Sequence, residues 1–392
     1  MKKRLKIGIF MDSYYPAIDG VVLVIDNLAK ELSKDNDVTV VVPYTNTYKD
    51  DDRKPYKIKR IMSIKVPTTE YRVGIPKTNL SKDFKELCKE GFDVIHIHSP
   101  FTIGKLGVRV GKKLGIPVIG TFHTRYDFEI NKRLKNGLIT NIVIKEIIRV
   151  FNRCDKCIAI NSKMIDVFND YGYKGTPVII YNGTDLKPLD NKEDHIKRIN
   201  DIYDLNKDDN VLLFVGRITS IKNIFFILDS LKLLKDDGFK FKMLYVGDGS
   251  DLKELQKRIK QYHLEDNVIT TGSINDRELL SSIYARADLF LFPSLFDASS
   301  LVQIEAAVNE TPGLFIEGAV TADTVINDVS GYTCELDEEV YKDKIKEILS
   351  NKKKLKEISI NAHKMLGKSW EDIAKETYKL YIEEINNKNY NN

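Results

Sequence analysis

Cysteine is scarce here. Four thiols, Cys88, Cys154, Cys157 and Cys334, are too few to staple a chain of 392 residues. The pair in "RCDKCIAINS" is a lone CxxC without the second pair or the histidines of a zinc site, so buried packing is preferred over a metal or redox role. Charge of one sign is scarce as well. With 61 basic against 57 acidic residues the net charge is +4, too balanced for a nucleic-acid binder. No apolar run approaches the length that crosses a bilayer. The start, "MKKRLKIGIF", turns polar at "MDSYYP" too soon for a secretion signal and reads as a first strand, which places the protein in the cytoplasm by default. No G-x-G-x-x-G follows that strand, which argues against a nicotinamide dehydrogenase. No repeat period argues for a solenoid.

What is present has the balance of a soluble globular protein, 42% hydrophobic and 30% charged, in a chain long enough for two cores. Short β-branched runs alternate with amphipathic segments: "LKIGIF", "VTVVVP", "FDVIHIH", "IPVIGTF", "KCIAINS", "TPVIIYN", then "VLLFVG", "FKMLYVG", "NVITTGS", "DLFLFPS". Runs of this kind, each followed by turn residues and a helical pattern, describe a parallel sheet covered on both faces. The series restarts at "VLLFVGR", so the expected fold is α/β, doubly wound twice over, as two Rossmann-like domains. The expected boundaries are 1–181 and 182–366, with a hinge near Asn182 to Asp185. A last helix in 367–392 is expected to pack back toward the first domain, with "NKNYNN" as a frayed tail.

Three loops of the second domain point toward one phosphate-bearing ligand. In "FVGRITSIKN" a strand ends at Gly216, followed by Arg217 and, five positions on, Lys222. A guanidinium fork and an ammonium at a strand's carboxyl end suit a pyrophosphate, although a solvated Arg and Lys would read the same. In "LYVGDGSDL", Gly247 and Gly249 either admit a ligand close to the backbone or make a tight turn. In "PSLFDASSLVQIEAA", a strand gives way to a helix near Ser299, Ser300 and Leu301, whose N–H groups offer a seat for phosphate oxygens. Glu305 then lies about a turn further in, while Asp297 stays on the preceding loop. One acid can hold ribose hydroxyls and the other those of a sugar.

The stretch "D-x7-E" from Asp297 to Glu305 resembles the E-x7-E signature of the retaining glycosyltransferases of family four, which have the GT-B fold of two Rossmann-like domains facing a cleft. Further landmarks follow in the same order: the loop from Pro16 to Gly20, "GTFHT", "YNGTD", "VGRITSIK", "VGDGSDL", "TTGSI", "ARADLFLFPS" and "SWEDIAKETYKLY". The resemblance implies that Arg217 and Lys222 neutralise the pyrophosphate of a nucleotide diphosphate sugar, with uracil the expected base. It also implies that Glu305 binds the ribose, that backbone at Ser299, Ser300 and Leu301 meets the distal phosphate or sugar, and that Gly272, Ser273 and Ile274 border the base. His123 and Gly20 would meet the donor from the first domain. The chemistry implied needs neither metal, cofactor nor protein nucleophile, because the leaving phosphate can take the acceptor's proton. This chain departs from the family at Asp297 (usually Glu), at "ASS" (usually "GFG"), at Glu310-Thr311-Pro312 (usually GxP) and at Asp19 (often Gly).

The acceptor belongs with the first domain. His123 ends a buried strand, where open α/β sheets bind ligands. His96 and His98 alternate on a strand and share a face, with His98 expected near the ligand, beside Arg125 and Tyr126, and His96 within the structure. The segment 126–154 mixes Lys132, Arg133, Lys135, Lys145, Arg149 and Arg153 with Leu134, Leu138, Ile142, Ile147 and Phe151, which suits either an ordinary surface helix or one lying on anionic lipid. "HIHSPFTIGKLGVRVGKKLGIPVIGTFHTRYDFE" resembles bacterial diacylglycerol glucosyltransferases of the family, peripheral membrane enzymes, and so implies a lipid or glycan acceptor and a position on the inner face of the membrane. Two rival functions remain: an inactive transferase fold that only binds or regulates, and a nucleotide-sugar epimerase.

Overall fold

The continuous apolar runs become central strands because both of their faces are covered. In a computed structural model, residues 4–17, 19–48, 51–66, 72–75, 78–127, 130–131, 136–295 and 301–390 are described. The chain divides into two units, 1–182 with 370–392, and 183–369.

The first unit contains β1 (Lys6–Phe10), β2 (Asp37–Pro43), β3 (Lys57–Ile61), a hairpin of β4 (Ser63–Lys65) and β5 (Arg72–Gly74), then β6 (Val94–Ile97), β7 (Val118–Phe122), β8 (Lys156–Ala159) and β9 (Val178–Ile179). Seven of them form a parallel sheet in the order β3-β2-β1-β6-β7-β8-β9. β3 and the hairpin are absent from the pattern of apolar runs. "KIKRI" is an edge strand whose charges are partnered, Lys59 by Glu86 (2.5 Å) and Arg60 by Asp51 (2.8 Å), so it carries no hydrophobic signature.

The helix Trp370–Tyr390 belongs to this unit and packs on the helix Gly20–Leu32. It runs through Tyr390, so the expected frayed tail is mostly helical; Lys388 bonds Asp155 across the unit. Its Tyr381 is fully buried, with the hydroxyl hydrogen-bonded to His96 Nδ1 (2.6 Å). A phenol buried this way contributes its ring area without leaving a polar atom unpaired.

The second unit contains β10 (Val211–Val215), β11 (Lys242–Val246), β12 (Val268–Gly272), β13 (Leu289–Leu291), β14 (Gly313–Ile316) and β15 (Tyr332–Cys334), all parallel in the order β12-β11-β10-β13-β14-β15. β10 is buried at every residue, and Phe214, Phe290 and Phe292 stack along the sheet face at 5.4 and 6.0 Å between ring centres. β14 and β15 were not evident from the sequence, being short and set among turn residues.

Candidate functional site

The second sheet reverses its strand order between β10 and β13, so the loops leaving those two strands diverge at their carboxyl ends, the place where open α/β sheets take ligands. Arg217, on the loop after β10, is exposed. Lys222 closes a single 3-10 turn, Ser220–Lys222, and its ammonium lies 5.7 Å from the Phe292 ring centre just past β13. The two loops are tied together: Asn223 Nδ2 donates to the Pro293 carbonyl (2.7 Å), from a left-handed backbone (φ 55°) that Asn tolerates. The loop that carries Arg217 and Lys222 is thus held at the switch point by local chemistry.

The glycines have a structural cause in the neighbouring loops. Gly216 N–H donates to the Val246 carbonyl (3.0 Å), Gly247 N–H to Gly272 (2.9 Å) and Ile218 N–H to Asp248 (3.0 Å), lacing the ends of β10, β11 and β12 together. A Cβ on Gly247 would sit 1.9 Å from the Gly216 oxygen, at a φ of +142°, and one on Gly249 would sit 2.3 Å from the Ile218 oxygen. The close approach is loop to loop. Gly272 ends β12, Ser273 beyond it is exposed, and Ile274 packs partly against the core.

Helical structure after β13 is described from Leu301 (Leu301–Val308); Asp297, Ser299 and Ser300 lie outside the described residues. Glu305 is 8% exposed and already partnered. Arg277 Nη2 donates to its Oε1 (2.8 Å) and the Tyr284 hydroxyl to its Oε2 (3.1 Å), while Arg277 also pairs with Asp185. Burial raises the Glu305 pKa above the ordinary carboxylate value, and Arg277 and Tyr284 restrain that rise. Sequence reading missed Arg277, Tyr284 and Asp185. Their signal was weak: Arg277 and Tyr284 are seven apart on one helix, Arg277–Arg286, and so share a face.

In the first unit the corresponding reversal lies between β1 and β6. Its helix Thr102–Leu114 starts against an acid of the chain itself. Asp12, from the loop after β1, accepts from Ile103 N–H (2.7 Å), Gly104 N–H (3.1 Å), Thr102 Oγ1 (2.9 Å) and Ser99 Oγ (2.6 Å). The helix end that would attract a phosphate is filled by a carboxylate. Gly20 opens the helix Gly20–Leu32, and Asp19 caps it by accepting from Val22 N–H (2.9 Å), again placing an acid where a glycine loop would offer bare amides.

The three histidines form one buried set. His96 is satisfied on both nitrogens, by Tyr381 and by Thr121 Oγ1 (2.7 Å). His98 lies against it, tilted, with ring centres 4.0 Å apart, so the two do share a face, and its Nδ1 meets His123 Nε2 at 2.9 Å. Burial pushes His96 and His123 down to about 3 and His98 well below the ordinary imidazole range, so all three are neutral near pH 7. The expectation of His98 as a ligand-facing group is therefore corrected: at 2% exposure its contact is with His123. Tyr126 is likewise 7% exposed, its ring edge-on to Phe122 and Phe101, which makes it core packing; Arg125 is more open and pairs with Asp127 (2.7 Å).

The helix Gly137–Phe151 divides its apolar residues between two faces. Ile147 and Phe151 are buried, the stripe that an ordinary surface helix would hide, whereas Leu138, Ile139 and Ile142 are 78%, 45% and 63% exposed, with Lys145 and Arg149 on the same open side. Arg153 follows the helix; Lys132, Arg133, Leu134 and Lys135 lie outside the described residues. Among the described residues no group of acids, histidines and cysteines is arranged to hold a metal, and no helix is long and apolar enough to cross a membrane.

Comparison with known proteins extends this geometry to a family. The chain is 28% identical over 318 residues to the alpha-monoglucosyldiacylglycerol synthase of Streptococcus pneumoniae, covering 79% of this chain and 70% of that one. It is 27% identical to the synthase of that name from Acholeplasma laidlawii, covering 79% of each. The crystal structure of Anabaena HepE in complex with UDP superposes with a TM-score of 0.77 at 17% identity, over 96% of this chain and 99% of that one. The family model Glycosyltransferase Family 4 matches residues 18–188, and Glycosyl transferases group 1 matches residues 195–365. With one family model on each parallel sheet and a full-length structural neighbour of this architecture, the chain belongs to the family-four glycosyltransferases and has their GT-B fold.

Proposed function

We propose that this enzyme transfers a hexosyl unit, with retention of anomeric configuration and without a metal, from a UDP-sugar to a lipid or lipid-linked acceptor. One observation carries the reading: Arg217 and Lys222 stand on the loop leaving β10 at the point where the strand order reverses, and that loop is bonded to the chain leaving β13. Two cations there oppose the charge that grows on a departing nucleotide diphosphate, so they stabilise the transition state more than the ground state. Leu301 is the first described residue of a helix whose N-terminal end would favour the same charge, and Glu305 is the acid assigned to the ribose. In a retaining transfer the leaving phosphate oxygen stays on the face that the acceptor approaches and takes its proton. The bond to the anomeric carbon breaks on the side where the new one forms, and no protein nucleophile is required.

Support for the lipid comes from the open face of Gly137–Phe151, where Leu138, Ile139 and Ile142 lie beside Lys145 and Arg149, a pairing that suits an anionic bilayer surface. The names of the two synthases point the same way, and HepE was crystallised with UDP. A panel of UDP- and GDP-sugars, incubated with diacylglycerol-containing anionic vesicles and read by mass spectrometry, tests the proposal. The expected product is a hexosyl lipid made from one UDP-sugar. A sugar isomer formed without cleavage would instead identify an epimerase, and neither transfer nor hydrolysis with any donor would identify a binding protein.

A further inference from the structure

We infer that His98 is a positioning residue: it donates its Nδ1–H to His123 Nε2 and so holds His123 as the Nδ1–H tautomer, a neutral hydrogen-bond donor to the substrate. The inference rests on the reading of His123 as a substrate-facing group. Its physical basis lies in the first unit alone. The contact His98 Nδ1···His123 Nε2 is 2.9 Å, so one proton is shared between the two nitrogens. A neutral imidazole carries one N–H and one lone pair, so ownership of that proton decides both rings.

If His123 owned it, neutral His98 would carry its own proton on Nε2, a nitrogen sealed from solvent without a hydrogen-bond partner. That arrangement buries an N–H with no acceptor, the rarer and costlier kind of orphan. If His98 owns it, the sealed Nε2 is a bare lone pair and neither ring has an N–H sealed away without an acceptor. His123 then carries its second proton on Nδ1. This nitrogen is not among the sealed atoms, and the ring retains 7% of its surface, so the N–H points to where solvent or ligand can meet it. Protonating both rings is opposed by burial. His96, with both nitrogens engaged by Tyr381 and Thr121, has no hydrogen bond to spare and only packs, tilted, against His98. Imidazole in water favours the Nε2–H form, so the pair reverses the default. A His123 fixed this way can donate to a sugar hydroxyl or a phosphate oxygen and cannot act as a base through Nδ1.

The test is the ring-nitrogen NMR spectrum of the full chain labelled at its six histidines, with His123 assigned by the loss of its signals in His123→Gln. The expected wild-type spectrum shows His123 protonated at Nδ1 and bare at Nε2. His98→Leu removes the donor that ties Nε2, so His123 should lose its fixed orientation, its ring-nitrogen signals should broaden or average between the two forms, and transfer should fall about tenfold, in line with loss of one aimed donor. His98→Asn, whose amide donates from near the Nδ1 position, should keep the Nδ1–H form and most of the rate. A wild-type His123 that is protonated at Nε2, or charged, overturns the inference, whether or not the variants fold. Normal transfer by His123→Gln with the expected wild-type spectrum would remove His123 from the substrate while leaving the tautomer assignment standing.

Discussion

Replacing Arg277 with Met should convert Glu305 into a pH-dependent weakness of the second unit. The Glu305 carboxylate is 8% exposed and relies on Arg277 at 2.8 Å and Tyr284 at 3.1 Å. Two unit charges about 4 Å apart attract by about 4 kcal/mol at an effective dielectric constant of ~20. The Arg277 side chain is 43% exposed, so solvent screens part of this and about 1–3 kcal/mol is the reasonable loss. Loss of that attraction raises the Glu305 pKa further. The wild-type value is already raised above the ordinary 4.5, so the folded state holds this proton to higher pH than the unfolded chain does. Stability contributed by that difference is full below the unfolded value and declines as pH rises through the folded one. Met at 277 widens the window upward: the variant should approach wild-type stability near pH 5 and fall about 1–3 kcal/mol short near pH 8.

Urea unfolding followed by far-UV circular dichroism at the two pH values measures this. The single tryptophan, Trp370, lies in the first unit and supplies an internal control, because its fluorescence transition should not move. The pair Arg277→Met with Glu305→Gln isolates the cause, since the amide cannot titrate and the extra pH dependence should vanish. Asp185 also loses a partner, but it is 47% exposed and its release is worth at most about 1 kcal/mol. An Arg277→Met deficit that is equal at both pH values, or that persists in the double variant, would refute the assignment of Arg277 as the cation that keeps Glu305 ionised.

Gly249→Ala should destabilise the second unit by about 1–3 kcal/mol, because its new methyl lies 2.3 Å from the Ile218 oxygen and forces the laced loops apart; the far-UV urea midpoint reads this. Arg217→Ala and Lys222→Ala should each lower transfer about tenfold to a thousandfold with folding intact, as steady-state kinetics will show, and near-normal turnover in both would dismiss the phosphate site. Leu138→Gln with Ile142→Gln should weaken sedimentation with anionic vesicles while leaving stability unchanged, since both side chains are more than half exposed. Transfer should persist in EDTA, and a complete loss reversed by added divalent metal would overturn the metal-free mechanism.

The two parallel sheets were legible in the sequence because covered parallel strands must be apolar on both faces, which leaves runs such as "VLLFVG" and "VIHIH" plain to read. The position of Arg217 and Lys222 was legible for a related reason: the end of an apolar run marks a strand's carboxyl end. Residues that act through partners distant along the chain were not legible. Glu305 could be singled out as an acid on a helix, but its dependence on Arg277, 28 positions earlier, and on Asp185 exists only once three elements meet. His98 and His123 are 25 positions apart, on adjacent strand ends, and only the registered pairing of β6 with β7 brings their rings to 2.9 Å. Asp12 looked like the polar end of a strand until the sheet order set it against the helix after β6. Local pattern determines which segments are strands and where they stop, because burial acts residue by residue along the chain. Tertiary structure decides which buried polar groups share protons and charge, because that requires atoms within about 3 Å of each other and no spacing in the sequence encodes it.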